Sequence, residues 1–289
     1  MSAPKTAIDT LIATLTLEPI EVNLFRGRTP DDEVNRDRIF GGQVIAQALM
    51  AAYQTIEGRT CHSLQSYFIR PGDPKAPVLY EVERSRDGKS FTTRRVIAIQ
   101  HGEQIFNLAA SFHVEEQGYE HQSPLPDAPD PETVETEQAR WASYAKAMPA
   151  AFRDHVARDR AIDVRRVDPI SPLKPERKPA SQQVWFRATG PVPDTVAINQ
   201  CMLAYASDMS LLDTCARPHG VSWLSGVMMA SLDHVIWFHR PSNAGQWHLY
   251  AQDSPSASGA RGFNRGEIYL QDGTLVASVA QEGLLRPRR

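Results

Sequence analysis

The chain of 289 residues is long enough for one large domain or two small ones, and its 42% hydrophobic residues can fill a sizeable core. A formal net charge of −3, with charges scattered along the chain, leaves no basic surface of the kind that nucleic acid requires. Three cysteines without a C-x-x-C pair exclude a disulfide framework and a cysteine zinc site.

The first residues argue against export and against a membrane anchor. Asp9 and Glu18 interrupt the apolar residues of the N-terminal stretch 1–19. Such a stretch fits neither a signal peptide nor a membrane span. The sequence therefore predicts a cytoplasmic protein that makes no membrane contact.

A helix and a set of strands are predicted in the first part of the chain. The segment FGGQVIAQALMAAYQ, from Phe40, places apolar and small residues at helical spacing. The strand YFIRP follows and ends at Arg70-Pro71, and residues 93–112, TRRVIAIQHGEQIFNLAASF, indicate two further strands around a turn. Small residues on the helix would allow the strands to approach it closely.

The middle of the chain, residues 116–160, has a different composition. SPLPDAPDPETVETEQ is rich in proline and acidic residues, as linkers are, and ARWASYAKAMPAAFRDHVARD predicts one or two connecting helices. We therefore expect an N-terminal unit over residues 1–115, a linker over 116–160 and a C-terminal unit over 161–289.

The second unit repeats the order of the first. QCMLAYASDMSLLDTCA, from Gln200, predicts a helix, and WFHRP ends at Arg240-Pro241, which is 170 positions after Arg70-Pro71 (70 to 240). Asp272-Gly273 is a typical hairpin turn, and Gln271-x-Gly273 follows Gln100-x-Gly102 by 171 positions (102 to 273). A helix this apolar must be covered by the adjacent sheet, so each copy is predicted to be an α+β unit.

Gln281 is out of place in the last strand. Strand alternation puts Leu275, Ala277, Val279 and Gln281 on one face, and the position that corresponds to Gln281 in the first copy, 171 residues earlier, is Ala110. A buried amide without partners costs roughly 1–3 kcal/mol. Gln281 must therefore be hydrogen-bonded, either within the protein or to a ligand.

Asp208 is a candidate functional carboxylate with two interpretations. Its neighbours at three and four residues include Tyr205, Leu211 and Leu212, so it faces a mostly apolar environment that would raise its pKa and make it a better proton acceptor. In the alternative interpretation it caps the start of a helix segment, since aspartate is a favoured N-cap residue.

The other candidates are individually weak. Ser231 opens a predicted strand, where a hydroxyl often satisfies a backbone group, and His234 follows Asp233 on the opposite strand face, which favours a structural role for it. Arg261 and Arg265 lie in GARGFNRGE, which could hold phosphates or form a strand with a glycine bulge.

Several common signatures do not occur in the sequence. It has no G-x-S-x-G nucleophile elbow, no H-E-x-x-H metal helix, no Walker A loop and no G-x-G-x-x-G after a strand. This pattern favours chemistry without a metal or cofactor.

Sequence segments in both halves, in the same order along the chain, resemble the bacterial acyl-CoA thioesterase II family, whose type member is thioesterase B. The resemblance covers nearly the whole chain and is weakest in the linker. The segments are RIFGGQVIAQAL, HSLQSYFIRPGD, RDGKSFTTRRVIAIQHGEQIF, ASFH, LAYASDMSLL, LDHVIWFHRP, ARGFNRGE and QDGTLVASVAQEGLLR.

The resemblance implies a double hot-dog fold, in which each of two units has a long helix wrapped by a curved antiparallel sheet. It implies hydrolysis of fatty acyl-CoA by a water activated by Asp208, Ser231 and Gln281, without a covalent intermediate. Family members more often carry threonine at the position of Ser231. Gln281 would then touch the water, and Ala110 predicts that only one of the two related sites works.

The resemblance also implies a homodimer or homotetramer, no cofactor, and CoA phosphates near basic side chains such as Arg261 and Arg265. Two alternatives stay open. An enoyl-CoA hydratase has the same fold but needs Asp and His in one site, and Asp233 and His234 point to opposite faces. A non-catalytic acyl-CoA-binding protein would use the same crevice without hydrolysis.

Overall fold

The computed structural model describes residues 6–30, 37–144, 158–222, 224 and 226–288. No helix in these ranges combines the length and hydropathy that a bilayer span requires. The α-helices are α1 (Ala7–Leu15), α2 (Gly41–Tyr53), α3 (Glu137–Tyr144), α4 (Val196–Ser207) and α5 (Asp213–Ala216).

The strands of both halves are antiparallel to their neighbours. They are β1 (Glu18–Glu21), β2 (Leu24–Gly27), β3 (Thr60–Phe68), β4 (Val78–Asp87), β5 (Phe91–Gln100), β6 (Glu103–His113), β7 (Ile162–Arg166), β8 (Ser181–Ala188), β9 (Val227–Ser231), β10 (Asp233–Phe238), β11 (His248–Ser258), β12 (Arg261–Leu270) and β13 (Leu275–Pro287).

Within the described residues, all of these strands belong to one 13-stranded sheet. Its order is β1-β2-β4-β5-β6-β3-β10-β13-β12-β11-β8-β7, and β9 pairs with the free part of the β13 edge. Strands β3 and β10 connect the two halves, with Leu64 opposite Ile236. The class is therefore α+β with a large antiparallel sheet, as the sequence predicts.

The two halves repeat each other down to their irregularities. Ile105 forms a β-bulge in β6, and Val276 forms one at the corresponding position of β13. In each half the bulged carbonyl accepts two backbone N–H groups, from Ile69 and Arg70 in the first and from His239 and Arg240 in the second. A bulge is a specific local feature, so its recurrence at the same place supports duplication.

Because of the bulge at Val276, the predicted placement of Leu275 on the same face of β13 as Ala277, Val279 and Gln281 is wrong. Ala277 and Val279 belong to the main core with Gln281 on the same side, whereas Leu275 lies in a separate cluster with Trp185 and Trp247. The additional residue of the bulge reverses the alternation, so Leu275 points to the opposite face of the sheet.

Helices α2 and α4 pack against each other and against the sheet. Alanines such as Ala48 and Ala204 are completely buried, and their small side chains let the two helices approach closely. Apolar residues of both helices and of both halves of the sheet form one continuous core. Helix α4 ends at Ser207 rather than continuing to residue 216 as predicted, so Asp208 lies at its end.

The segment after residue 115 packs along the second half. The amide of Gln122 bonds to the backbone of Gly273 and Leu275, and the carbonyl of Pro129 accepts the indole N–H of Trp185. One of the predicted connecting helices is α3, and the rest of that prediction, residues 145–157, lies outside the described residues.

Candidate active site

The carboxylate of Asp208 is the centre of the site. Its side chain is 4% exposed and lies just beyond the last residue of α4. Oδ1 accepts a hydrogen bond from Ser231 Oγ at 3.2 Å and another from Gln281 Nε2 at 2.6 Å. The structure thus brings the three predicted residues together, although they come from distant parts of the second half.

Burial raises the pKa of Asp208 from 3.8 to about 6. Hydrogen bonds from Gln281, Ser231 and the backbone of Gly42, together with the positive charge of Arg38, oppose this shift because they stabilise the ionised form. A carboxylate with such a pKa is a stronger base than a free aspartate and is still ionised at neutral pH.

The position of Ser231 follows from the shape of the β13 edge. Ser231 is the last residue of β9, not the first of the following strand, and it pairs with Gly283. Leu232 then bonds to Glu282, and β10 begins at Asp233. This junction lets two strands share one edge of β13 and directs the serine hydroxyl toward Asp208.

Gln281 is completely buried behind the carboxylate. Its Nε2 atom also lies 3.0 Å from Nδ1 of His234, while its Oε1 atom has no hydrogen-bond partner among the described residues. The visible effect of Gln281 is therefore on Asp208. A direct contact between Gln281 and a water molecule stays a prediction.

A cavity of about 580 Å³ opens beside Asp208 and Ser231. Phe40, Phe68 and Met209 provide part of its apolar lining. A second cavity, of about 260 Å³, shares Phe40 and Met209 with the first and extends between α1 and α4. The site thus has one polar end, and the second cavity has a mixed lining of polar and apolar side chains.

The start of helix α2 forms the wall next to the carboxylate. A Cβ atom on Gly41 would lie 2.6 Å from Asp208 Oδ2, so glycine is required for this approach. The first amides of a helix have no intrahelical partner and carry partial positive charge. Residues of the first half therefore complete a site whose aspartate, serine and glutamine come from the second.

Arg261 and Arg265 lie away from this cavity. Both alternate with the buried positions Gly262 and Asn264 on β12, so their side chains lie on the outer face of the sheet. Arg261 pairs with Glu282 at 2.9 Å, and Arg265 pairs with an aspartate on β11. The arginines that line the cavity are Arg38 and Arg70, which sequence reasoning did not identify.

His234, which the sequence favours as a structural residue, also lies next to the site. Strand alternation separates it from Asp233, but the structure places its Nδ1 atom 3.8 Å from Oδ1 of another aspartate, Asp208. The argument that no histidine could share a site with the aspartate is therefore wrong. His234 is nevertheless fully buried and bonded at both ring nitrogens, so it has no free nitrogen for the substrate of a hydratase.

A signal for His234 is present in the sequence. At the repeat offset of 170 positions (64 to 234), its counterpart is Leu64, which pairs with Ala110, the counterpart of Gln281. Two neighbouring apolar positions of the first half are thus both polar in the second. Within the described residues, no group of three or more His, Cys, Asp or Glu side chains is arranged to hold a metal ion.

Two family models match the chain. The model described as "Acyl-CoA thioesterase" matches residues 151–284, and the one described as "Acyl-CoA thioesterase N-terminal domain" matches residues 30–113. Acyl-CoA thioesterase 2 of Haemophilus influenzae is 41% identical over 281 residues, which are 96% of this chain and 98% of that protein.

Solved structures agree with these matches. Acyl-CoA thioesterase II TesB2 of Mycobacterium marinum has a TM-score of 0.77 and 40% identity, and the match covers 96% of this chain and 98% of that one. A hot-dog protein of Alicyclobacillus acidocaldarius has a TM-score of 0.77 at 21% identity, with 99% and 100% of the two chains covered. The second match shows similarity of fold alone.

Proposed function

The chain belongs to the acyl-CoA thioesterase II family, and we propose that it hydrolyses fatty acyl-CoA thioesters at the Asp208 site. The observation that carries this assignment is the pair of hydrogen bonds from Ser231 and Gln281 to one oxygen of a buried carboxylate beside a cavity. Asp208 is the general base, and the attacking nucleophile is water.

In the proposed reaction, a water in the cavity donates a proton to Asp208 as its oxygen attacks the thioester carbon. The pKa of about 6 suits this role, because the carboxylate is ionised at neutral pH and still basic enough to accept the proton. Ser231 faces the cavity and orients the carboxylate and the water. Gln281 holds Asp208 from behind.

Negative charge then develops on the carbonyl oxygen. We assign its stabilisation to the partial positive charge at the start of α2, because Gly41 brings this helix end against the carboxylate. The Gly42 amide itself donates to Asp208. Collapse of the tetrahedral intermediate expels the CoA thiolate, which takes up a proton, and releases the fatty acid. The net reaction consumes one water per thioester.

We propose that the substrate lies along the two adjacent cavities, which share Phe40 and Met209. The acyl chain extends past Phe40 and Met209 into the smaller cavity. Arg38 and Arg70 at the larger cavity provide positive charge for the CoA phosphates, a role first assigned to Arg261 and Arg265. Guanidinium groups form bidentate hydrogen bonds with phosphate, which suits this position.

We also propose that the architecture is a double hot-dog, with units at residues 1–115 and 161–289 joined by the linker 116–160. The repeated bulges support this division. Ala110 replaces the site glutamine in the first unit, so the chain has one working site. Assembly into a homodimer or homotetramer and a cytoplasmic location stay predictions.

Release of thiol from palmitoyl-CoA tests the proposal. Asp208→Asn keeps the size of the side chain and removes the base, so we expect kcat to fall at least about 100-fold. Asp253→Asn is the matched control, because Asp253 pairs with Arg265 on the outer face. Wild-type activity in Asp208→Asn would overturn the assignment of the base.

The same assay separates the alternatives. A non-catalytic acyl-CoA-binding protein would bind palmitoyl-CoA without releasing thiol at any acyl length. Crotonyl-CoA would yield free thiol with a thioesterase and a hydroxyacyl-CoA with a hydratase. We expect free thiol, and either other result would contradict the proposed reaction.

A further inference from the structure

Two buried polar residues, Ser207 and His234, lie directly behind the site. Both are completely buried, as is Gln281. His234 Nε2 lies 2.9 Å from Ser207 Oγ, and Nδ1 lies 3.0 Å from Gln281 Nε2. A chain of hydrogen-bonding groups therefore runs from the end of α4 through β10 to β13 and back to Asp208.

The direction of these hydrogen bonds can be derived from one end. Ser207 Oγ lies 2.9 Å from the carbonyl oxygen of Ala204, which can only accept, so the serine hydroxyl donates to it. Ser207 Oγ is then an acceptor toward His234, and Nε2 of the ring must carry the proton. Nδ1 is left with a lone pair, which accepts from an N–H group of Gln281.

This direction fixes the orientation of the Gln281 amide. Its nitrogen faces both His234 Nδ1 and Asp208 Oδ1, and both of its N–H groups are used. If the amide turned over, its oxygen would lie against the carboxylate oxygen and against the lone pair of Nδ1. Neither contact would have a hydrogen to share.

We propose that Ser207 and His234 are positioning residues. Ser207 holds His234 in the Nε2–H tautomer, and His234 in turn keeps the Gln281 amide nitrogen directed at the catalytic carboxylate. The histidine takes no part in proton transfer to the substrate. This inference rests on the proposed function, because these hydrogen bonds affect the reaction only through Asp208.

The electrostatics of the pocket agree with a fixed neutral ring. Burial lowers the pKa of His234 to about 3, so the ring stays neutral and Nδ1 stays an acceptor at the pH of the reaction. The paired substitution of Leu64 and Ala110 by His234 and Gln281 shows that the two polar residues occur together in the half that carries Asp208.

The tautomer can be measured without any assay of activity. We expect ¹⁵N-histidine NMR of the intact protein to show a protonated Nε2 and an unprotonated Nδ1 for His234, with the signal assigned by its loss in His234→Gln. An Nδ1–H tautomer or a doubly protonated ring in the wild-type protein would overturn the proposal.

Two histidine variants separate positioning from packing. The amide of asparagine can place an acceptor near the position of Nδ1, whereas the amide of glutamine reaches the position of Nε2. We therefore expect His234→Gln to lower kcat roughly tenfold or more, with KM within about twofold, and His234→Asn to retain more of kcat. The larger glutamine would be the better substitute if the ring only filled space, and that order of activities would contradict the proposal.

Ser207→Ala provides an independent variant. It removes the acceptor of the Nε2 proton, so the ring loses its preference for one tautomer and we expect a fall in kcat similar to that of His234→Gln. The matched controls are Ser278→Ala and His239→Gln, because His239 and Ser278 form an equivalent pair at 2.9 Å outside the cavity. Both controls should keep wild-type kcat.

The pH profile is a further readout. Misdirection of the Gln281 amide removes a donor from Asp208, so we expect the acidic limb of kcat/KM to move to higher pH in Ser207→Ala. The charged or titratable groups around this carboxylate are His234, Tyr250 and Arg38, with Asp37, Arg70 and Asp213 farther along the cavity. Burial keeps Tyr250 neutral by raising its pKa, so the expected shift belongs to Asp208.

If Ser207→Ala left both kcat and the acidic limb of kcat/KM unchanged, the positioning role of Ser207 and His234 would be contradicted. If Asp208→Asn is inactive while Ser207→Ala and His234→Gln behave as wild type, the proposed function stands and this inference fails. If Asp208→Asn is fully active, the proposed function fails, whereas the NMR measurement still decides the tautomer.

Discussion

At the scale of single residues, Asp208 combines the cost of burial with the means to reduce it. Its side chain is almost completely enclosed, and Ser231, Gln281 and Gly42 all donate to it. The donors offset only part of the cost, because the pKa of Asp208 remains above its ordinary value. The ionised carboxylate is therefore a local destabilising feature that the proposed reaction requires.

This conflict predicts a pH-dependent gain in stability for Asp208→Asn. The folded chain binds the Asp208 proton more tightly than the unfolded chain, so ionisation costs stability as pH rises from 3.8 to about 6. A shift of two pKa units corresponds to about 3 kcal/mol. At about pH 8 we expect the free energy of unfolding of the variant to exceed that of the wild type by about 1–3 kcal/mol.

Urea unfolding at several pH values measures this difference. The gain should shrink through pH 4 and disappear near about pH 3, where Asp208 is protonated in both the folded and the unfolded chain. Asp253→Asn should show no gain at about pH 8 or at about pH 3. A difference that did not change with pH would contradict the linkage.

Ser231 offers a second test at this scale. Ser231→Ala removes a donor to Asp208 Oδ1, so we expect kcat to fall roughly 10- to 100-fold and the acidic limb of the pH profile to move upward. Ser231→Thr keeps the hydroxyl and should retain most of the activity. Steady-state kinetics with palmitoyl-CoA compare the two variants, and equal loss in both would show that the hydroxyl is not what matters.

Part of the site can be predicted from residue types in the sequence, whereas the rest depends on contacts that form only in the folded chain. Gln281 was conspicuous in the sequence because an amide followed apolar residues on one strand face. His234 was not, because strand alternation relates it only to Asp233, whereas its contacts are on α4 and β13. Contacts between distant segments cannot be derived from local alternation alone.

At the scale of secondary-structure elements, the start of α2 is the part of the first half that approaches the Asp208 carboxylate. Its glycines bring backbone close to the carboxylate: Gly41 faces Asp208, and a Cβ on Gly42 would meet the carbonyl oxygen of Tyr205 at 2.4 Å. The helix is therefore held against both the end of α4 and the side chain of Asp208.

Gly41→Ala tests this contact. The new methyl group would meet Asp208 Oδ2 and the ring of Phe68, so the carboxylate or the helix must move, and we expect kcat to fall about tenfold or more. Gly118→Ala is the control, because a Cβ there would meet nothing within 4 Å. Activity unchanged by Gly41→Ala would show that this approach is not needed for the reaction.

The elements also show where sequence reasoning reaches its limit. The order of helix and strands and the turn at Gly273 were predicted from periodicity and turn residues, and the turn is present with φ at +94° for that glycine. The end of α4 and the bulge at Val276 were not predicted. Both depend on which backbone groups the neighbouring strands or helices satisfy, and local propensity does not report that.

At the scale of the whole molecule, the described residues form one sheet and one main core across both halves. Leu64 and Ile236 are opposite each other where β3 meets β10, and both are completely buried. All five tryptophans lie after residue 140. Tryptophan fluorescence therefore reports mainly on the second half, whereas circular dichroism reports on both.

This arrangement predicts a single cooperative unfolding transition. Leu64→Ala creates a cavity in the first half and should cost about 2–5 kcal/mol. We expect the urea midpoint measured by tryptophan fluorescence to fall by the same amount as the midpoint measured by circular dichroism. A fluorescence midpoint that stayed at the wild-type value would show that the halves unfold independently.

The contrast between Leu64–Ala110 and His234–Gln281 has a consequence for evolution. In an assembly of two identical subunits, one codon determines the same residue on both sides of the twofold axis, so neither side can specialise alone. A single polypeptide that contains both copies is free of this constraint. One copy can acquire polar site residues at the expense of stability, while the other keeps the apolar residues that stabilise the shared core.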